Sequence, residues 1–364
     1  MKHLCNSLLL CGIAFLWVPA ANAQDITIRR VTDRVITLSM SNLGMHTNVT
    51  VIETQKGLVV IETEVTPSIM KRIKKSAEQK LGRNDWAYVI NTHGHLHHAG
   101  GNSAFPKTPI IGDKTTSGDW LKHALSSYKG RVGHCDYLGV NSAIKLLRQN
   151  LAQAKLTAVQ KETLRRRLRF CNAIRQEIMA GFEVRNPTIT FRERNALDLG
   201  DTHLRLTYWG DGISHSSIFV HVVEDNMLVG MGMGGGKWLP SFYGKVTLEG
   251  IRHAISVYKE LCDKNFPIDI MIGIHSPVLN TSRQRFHHSR TYFQTLLDDL
   301  TQAMQNGLSL RQTKDKLSLD KEYAPMRRYF DQPKNISEIH LKNIDAIWEL
   351  LQKEGSSNSQ EQNN

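Results

Sequence analysis

The sequence lacks two features that would assign a class directly: paired cysteines and long apolar runs. It has five cysteines in 364 residues and no Cys-x-x-Cys motif, which argues against a cysteine-rich zinc site. After the N-terminal segment no run reaches about 18 apolar residues, so we expect no membrane-spanning helix. With 22% charged and 40% hydrophobic residues the composition is that of a globular chain, which excludes wholesale disorder.

The first 23 residues predict a secretory signal peptide. Lys2 supplies a positive charge, an apolar stretch runs from Leu8 to Val18, and Ala21-Asn22-Ala23 has the small residues of a cleavage site. Cleavage after Ala23 predicts a periplasmic or secreted protein. The three cysteines left in the mature chain allow one disulfide with a free thiol, or no disulfide: Cys135, Cys171 and Cys262.

Hydrophobic periodicity predicts a mixed α/β chain. Short strands are predicted within 26–63, at 86–90, between 188 and 230, and at 268–274. Helices are predicted over 67–81, within 142–182, over 248–262, and in three segments after residue 285. The order of strands, helix and strand occurs twice, which indicates two similar halves. The last ten residues, 355–364, contain no apolar side chain and predict a disordered tail.

Four histidines lie within six positions directly after the strand predicted at 86–90, namely His93, His95, His97 and His98. Neutral imidazole is the commonest side-chain ligand of zinc and related metals. His93 and His95 alternate on extended backbone and therefore face the same way. The glycine pair at 100–101 lets the backbone turn tightly behind them. This pattern predicts a metal site at a strand end.

The segment resembles the signature of the metallo-beta-lactamase superfamily, which reads His-x-His-x-Asp-His and is often followed by Gly-Gly. Residues 57–63, 211–216 and 272–276 resemble three further motifs of that family. The resemblance implies a four-layer αβ/βα sandwich with its metal site at one edge between two sheets. The mature chain then divides into a sandwich domain (24–285) with a helical insertion (about 113–182), a C-terminal helical extension (286–354) and the tail (355–364).

Matched to those motifs, the resemblance implies two groups of metal ligands. His93, His95 and His215 correspond to the ligands of the first metal, and His98 and His275 correspond to two ligands of the second. Three imidazoles and an open position are the arrangement expected of a catalytic zinc.

Two acidic ligands of the family are missing from this sequence. His97 occupies the place of the usual aspartate, and Met231 occupies the place of the other carboxylate. Two dications with no bridging carboxylate repel each other strongly, so we expect one tightly bound zinc and a second metal that is weak or absent. The second site would have only neutral ligands, namely His97, His98, His275 and the thioether of Met231. His97 is also the candidate proton acceptor, and the alternative is a histidine at the surface or behind the ligands.

The positive charge is concentrated in one segment. The chain carries a net charge of +12, and residues 141–180 hold nine Lys or Arg against two Glu. One interpretation is a helix that follows a nucleic-acid backbone. We favour the other, a solvated helix face that can touch anionic lipid or a partner, because the protein is expected to be exported.

The resemblance implies a periplasmic, zinc-dependent hydrolase of a small molecule, cleaving an ester, lactone, amide or β-lactam bond. The alternative is a non-catalytic protein that kept the fold and binds a metal or ligand. The five histidines at motif positions favour the enzyme, whereas the two missing carboxylates favour the binder. A nuclease is a third hypothesis, made less favourable by the loss of the acidic ligands of a two-metal site.

Overall fold

The structure is a computed structural model that describes residues 26–40, 47–114, 120–134, 140–153, 155–209, 217–230, 239–240, 242, 246–275, 278–280, 283–330 and 335–361. The predicted signal peptide, Cys135, His215 and Met231 lie outside these residues. The described part contains no helix that combines the length and apolar character needed to cross a membrane.

The strands of the described part are short. In chain order they are β1 (Thr27–Arg30), β2 (Val35–Ser39), β3 (Asn48–Thr54), β4 (Gly57–Ile61), β5 (Trp86–Ile90), β6 (Ile110–Asp113), β7 (Ile189–Phe191), β8 (Arg194–Asp198), β9 (His203–Tyr208), β10 (Ile218–Val222), β11 (Met227–Gly230), β12 (Ile270–Gly273) and β13 (Leu279–Asn280).

The helices lie between and after these strands. They are α1 (Pro67–Leu81), α2 (Leu96–Ala99), a 3-10 helix (Gly100–Ala104), α3 (Trp120–His134), α4 (Val140–Leu151), α5 (Ala158–Ala180), α6 (Leu248–Leu261), α7 (Arg283–Gln305), α8 (Leu310–Lys316), α9 (Ala324–Arg327) and α10 (Ile336–Glu361).

Two sheets form from the strands. The first has the order β1-β2-β3-β4-β5-β6-β7, with antiparallel pairing up to β4 and parallel pairing from β4 to β7. The second has the order β13-β12-β11-β10-β9-β8 and is antiparallel except between β11 and β12. Because β4 and β5 are parallel neighbours, the segments that follow them meet at the same edge of the sheet.

Three apolar cores separate the layers. Ile90 of β5 lies in the core between the sheets together with Val220 of β10. The adjacent Val89 points to the opposite face, where it packs in a second core with helices α1 and α5. A third core joins the outer face of the second sheet to α6, α7 and α10. The layers are therefore helices, sheet, sheet and helices.

The predicted fold class is confirmed, since two sheets are flanked by helices and further helices follow at the C-terminus. Helix α1 has the predicted bounds, because Pro67 fits its first turn and Gly82 ends it in the left-handed region at φ +66°. Strands β6, β8 and β13 were not predicted, since they are short and β8 is half-exposed. The region predicted as an insertion contains α3, α4 and α5.

The C-terminus differs from its prediction. Helix α10 continues to Glu361, so residues 355–361 are helical where the sequence predicts a disordered tail. Arg252 holds Glu354 through two hydrogen bonds of 2.8 and 3.1 Å, and no proline follows to stop the helix. Of the remaining cysteines, Cys171 is buried and Cys262 is half-buried, and neither forms a disulfide within the described residues.

The glycine pair at 100–101 is explained by close packing and not by a left-handed backbone. A Cβ at Gly100 would lie 2.2 Å from the carbonyl oxygen of Val65, and a Cβ at Gly101 would lie 1.9 Å from that of Thr63. Both carbonyls belong to the segment after β4. Only glycine lets the histidine segment approach this backbone so closely.

We expect the substitution Gly101→Ala to lower the free energy of unfolding by about 1–3 kcal/mol, because the new methyl group must displace backbone. Gly355→Ala is the control, since a Cβ there meets nothing within 4 Å. Alanine is the better helix former, so the control should be unchanged or more stable by up to about 1 kcal/mol. Urea denaturation measures both variants, and equal stability of Gly101→Ala and wild type would refute the close-packing explanation.

Candidate metal centre

Strand-end loops position the histidines at one edge of the molecule. His93 follows β5, and His95 is the extended residue that precedes α2. His97 and His98 lie on the single turn of α2, where the chain has reversed direction. His275 follows β12 of the other sheet. The structure thus brings together four of the five predicted ligands and the predicted base, while His215 lies outside the described residues.

The imidazole rings form one compact cluster. Ring centroids are 4.0 Å apart for His97 and His98, 4.1 Å for His93 and His98, and 4.8 Å for His98 and His275. His95 joins the group through its Nδ1, which is 3.0 Å from Nε2 of His93. The ligating nitrogens of His93, His97 and His98 all lie within 4.8 Å of one another, so these three could hold a metal ion.

Burial keeps the three inner imidazoles uncharged. His93 and His98 have no exposed surface, and His97 is 6% exposed. This burial lowers the pKa of each ring well below its ordinary value, and the neighbouring histidines lower it further. Neutral imidazole is the form that binds metals. His275 is exposed, so the cluster faces solvent on that side.

The carboxylate of Glu62 lies directly behind the cluster. Its Oε2 contacts Nδ1 of His98, and its Oε1 accepts a hydrogen bond of 2.7 Å from the backbone N–H of Thr92. Burial raises the pKa of Glu62 to about 8, against the opposing effect of the Thr92 hydrogen bonds. Glu62 also has φ +73°, a left-handed backbone that turns the chain at the end of β4.

This contact leaves one nitrogen of His98 available. In its ionised form, which a neighbouring cation favours, the Glu62 carboxylate at Nδ1 stabilises the tautomer in which that nitrogen carries the proton and Nε2 carries the lone pair. Both ring nitrogens of His98 are buried without a hydrogen-bond partner within the described part of the chain, but Nδ1 lies in contact with Oε2 of Glu62, which leaves Nε2. An orphaned imidazole nitrogen among other imidazoles fits a metal ion, because an unpaired buried polar atom is otherwise unfavourable.

A buried amide network fixes the backbone of α2. Asn91 and Asn102 exchange two hydrogen bonds of 3.0 and 2.8 Å between their side-chain amides. The hydroxyl of Thr63 donates to Oδ1 of Asn102 at 2.7 Å, and the backbone N–H of Thr63 donates to the carbonyl of His98 at 2.8 Å. His98 is therefore held at two points: its ring by the Glu62 carboxylate, and its backbone carbonyl by the N–H of Thr63.

Backbone hydrogen bonds also join the two sheets at this edge. The N–H of Ile218 in β10 donates to the carbonyl of Thr92 at 2.8 Å. Asn48 of β3 donates its N–H to the carbonyl of Ile274 at 2.8 Å and its side-chain amide to that of Gly273 at 2.7 Å. The residues next to His93 and His275 are thus held by strands of the opposite sheet.

Sequence reasoning assigned no role to Glu62, Thr63, Asn91 or Asn102. The resemblance of residues 57–63 to a family motif places Glu62 at a strand end, yet its contact with His98 arises only when β4 and β5 pair. The sequence does place polar residues directly after β4 and β5, and polar residues after two neighbouring parallel strands are a signal that could have predicted their role at the site.

Comparison with known proteins adds a family and a fold. The sequence profile of the metallo-beta-lactamase superfamily matches residues 43–229, which is just over half of the chain. A search of curated proteins found no match.

Two solved structures show a similar fold. One is the stereoselective inverting sec-alkylsulfatase Pisa1 from Pseudomonas sp., with a TM-score of 0.55 and 13% identity over 89% of this chain and 50% of that one. The other is a metallo-beta-lactamase family protein from Thermus thermophilus, with a TM-score of 0.50 and 13% identity over 90% of this chain and 95% of that one. The chain spans about half the length of the alkylsulfatase.

We expect Glu62→Gln to weaken zinc binding by about 10- to 100-fold, because an amide does not favour the metal-binding tautomer of His98 as a carboxylate does. Glu64→Gln is a matched control. Burial also raises the pKa of Glu64 to about 8, but the hydrogen bond acting on its carboxyl comes from the backbone of Val65 and not from a histidine. Competition titration against a chelator measures both affinities. Equal losses in the two variants would show that any buried acidic side chain near the site, and not the His98 contact, sets the affinity.

Proposed function

The chain belongs to the metallo-beta-lactamase superfamily, and from this premise we propose that it is a zinc-dependent hydrolase with a variant, single-metal site. The observation that carries the proposal is His98, which is fully buried, contacts Glu62 through Nδ1 and has an unpartnered Nε2 within the described residues. A histidine oriented in this way is suited to bind a metal. The surrounding imidazoles supply further ligands.

His93, His97 and His98 are the proposed inner ligands. The ligating nitrogens of these three residues lie within 4.8 Å of one another, which supports the ligand interpretation of His97 over the proton-acceptor interpretation. His95, His275 and, through its family motif, His215 are proposed to surround these three ligands without all binding the ion, because a catalytic zinc has about four ligands and keeps one position open. Imidazole nitrogens suit zinc better than magnesium or calcium, which prefer oxygen ligands. When bound, zinc supplies a Lewis acid that functions without redox chemistry.

We propose that one metal binds tightly and that a second is weak or absent. The positions of both acidic ligands carry other residues, His97 and Met231. Neutral imidazoles do not offset the repulsion between two dications held close together. The carboxylate of Glu62 is engaged behind His98 and holds the ligand.

The proposed reaction is hydrolysis of a small molecule containing an ester, lactone, amide or β-lactam bond. His275 is exposed while His93 and His98 are sealed inside, so a substrate approaches the cluster from the His275 side. The buried rings exclude bulk water from the opposite side. We also propose export to the periplasm or secretion, on the basis of the N-terminal sequence pattern.

A non-catalytic metal-binding protein is the second candidate. It is favoured by the replacement of the family aspartate with His97, which removes a carboxylate that could take up a proton. The same geometry would then serve to retain the metal or to bind a ligand at the exposed His275.

Turnover by the zinc-loaded protein on a panel of aryl esters, lactones, amides, β-lactams and sec-alkyl sulfates separates the two candidates. We expect measurable hydrolysis that His98→Ala and His93→Ala reduce to background, because each removes an inner ligand. His203→Ala is the control, since His203 begins β9 at the end opposite to the Tyr208–Ile218 pair and its imidazole pairs with Glu224 at 2.7 Å. A folded, zinc-loaded protein inert on the whole panel would favour the binder. Turnover that survives both ligand substitutions would contradict metal-dependent hydrolysis.

A further inference from the structure

Helices α4 and α5 pack side by side and form a helical hairpin. We define the hairpin tip as the segment of α4 from Lys145 to Arg148 together with the segment from Lys155 to Lys161, which leads into α5 and forms its first turn. Within the described residues, the two most exposed large apolar side chains are Leu146, at 52%, and Val159, at 64%. Both belong to the hairpin tip, and neither is needed for the core.

The inner face of the same hairpin is packed normally. Ile144 and Leu147 of α4 are buried, at 6% and 8% exposure, beside the outward Leu146. The start of α5 is fixed by a capping box, in which Thr157 and Gln160 bond reciprocally at 2.9 and 3.2 Å. Val159 is therefore presented on a well-formed first turn.

The hairpin tip is also uniformly basic. It carries four basic residues and the sequence from 145 to 161 contains no Asp or Glu: Lys145, Arg148, Lys155 and Lys161. None of these four takes part in an ion pair among the described residues. The next acidic residue, Glu162, is already paired with Arg169 at 2.7 Å. Positive charge and apolar surface thus occupy the same end of the hairpin.

We propose that the hairpin tip docks on the surface of an anionic lipid bilayer. Basic side chains are attracted to anionic headgroups, and apolar side chains beside them insert at the boundary between headgroups and acyl chains. A nucleic-acid backbone would engage the charges alone and leave Leu146 and Val159 in water. The combination of both features therefore favours a bilayer.

Such docking would be reversible and dependent on salt. Each Lys or Arg near an anionic surface strengthens binding by about fivefold, and the effect falls off within a Debye length. Two apolar side chains cannot anchor the protein without that charge. Docking would hold the metal centre near a membrane surface without a membrane-spanning segment. The docking proposal does not depend on the proposed hydrolysis.

Sedimentation of the purified protein with lipid vesicles tests this proposal. We expect binding to vesicles with equal parts of phosphatidylcholine and phosphatidylglycerol, little binding to phosphatidylcholine alone, and loss of binding at high salt. The double variant Lys145→Gln/Arg148→Gln should bind about 25-fold more weakly, at about fivefold per charge. Leu146→Ser/Val159→Ser should also weaken binding, by severalfold.

Met179→Ser is the matched control, because Met179 is 43% exposed at the opposite end of α5. It should bind as wild type does, and thermal melts should show that all variants remain folded. Equal binding to neutral vesicles, or anionic-vesicle binding that neither double variant weakens, would overturn the proposal. Salt-dependent binding to a DNA duplex without vesicle binding would overturn it in favour of a nucleic-acid surface.

Discussion

Two fully buried side chains, Glu62 and His98, meet at the edge between the two sheets, and the rest of the site is arranged around that contact. A carboxyl group and an imidazole removed from water are each costly unless they are satisfied. Oε1 of Glu62 accepts a hydrogen bond from the Thr92 N–H and its Oε2 contacts Nδ1 of His98, whereas Nε2 of His98 has no hydrogen-bond partner in the described chain. A metal ion bound to Nε2 would give this buried nitrogen a partner. The contact therefore fixes the orientation of His98, the proposed metal ligand, from a residue at the end of β4.

The fold delivers this contact through strand pairing and close backbone packing. Parallel pairing of β4 and β5 places the residues after each strand side by side. Gly100 and Gly101 then allow the turn behind the histidines to lie against the segment after β4. Hydrogen bonds from Ile218 and Asn48 tie the same loops to the opposite sheet. Both sheets are consequently needed to position the histidines, because each sheet holds loops of the other through these hydrogen bonds.

Local patterns were sufficient to predict a mixed α/β chain, helix α1 and the cluster from His93 to His98, because period and spacing are visible along the chain. The four-layer sandwich was predicted from the resemblance to the family motifs. The role of Glu62 was not predictable in this way, since its partner depends on which strands pair. The sequence left His97 with two interpretations, a ligand of the second metal and a base, and its convergence with His93 and His98 supports the ligand. Strands such as β8 were missed because they are short, and half-exposed residues leave little apolar pattern.

A metal centre can form here on the imidazole nitrogens of His93, His97 and His98, while the Glu62 carboxylate contacts His98 and does not contact the metal. Anomalous X-ray diffraction at the zinc absorption edge, from crystals of the zinc-loaded protein, tests it most directly. We predict one strong anomalous peak within bonding distance of His93, His97 and His98, with Glu62 contacting His98 and not the metal. A peak coordinated by Glu62, two peaks of equal height, or no peak at the cluster would contradict it.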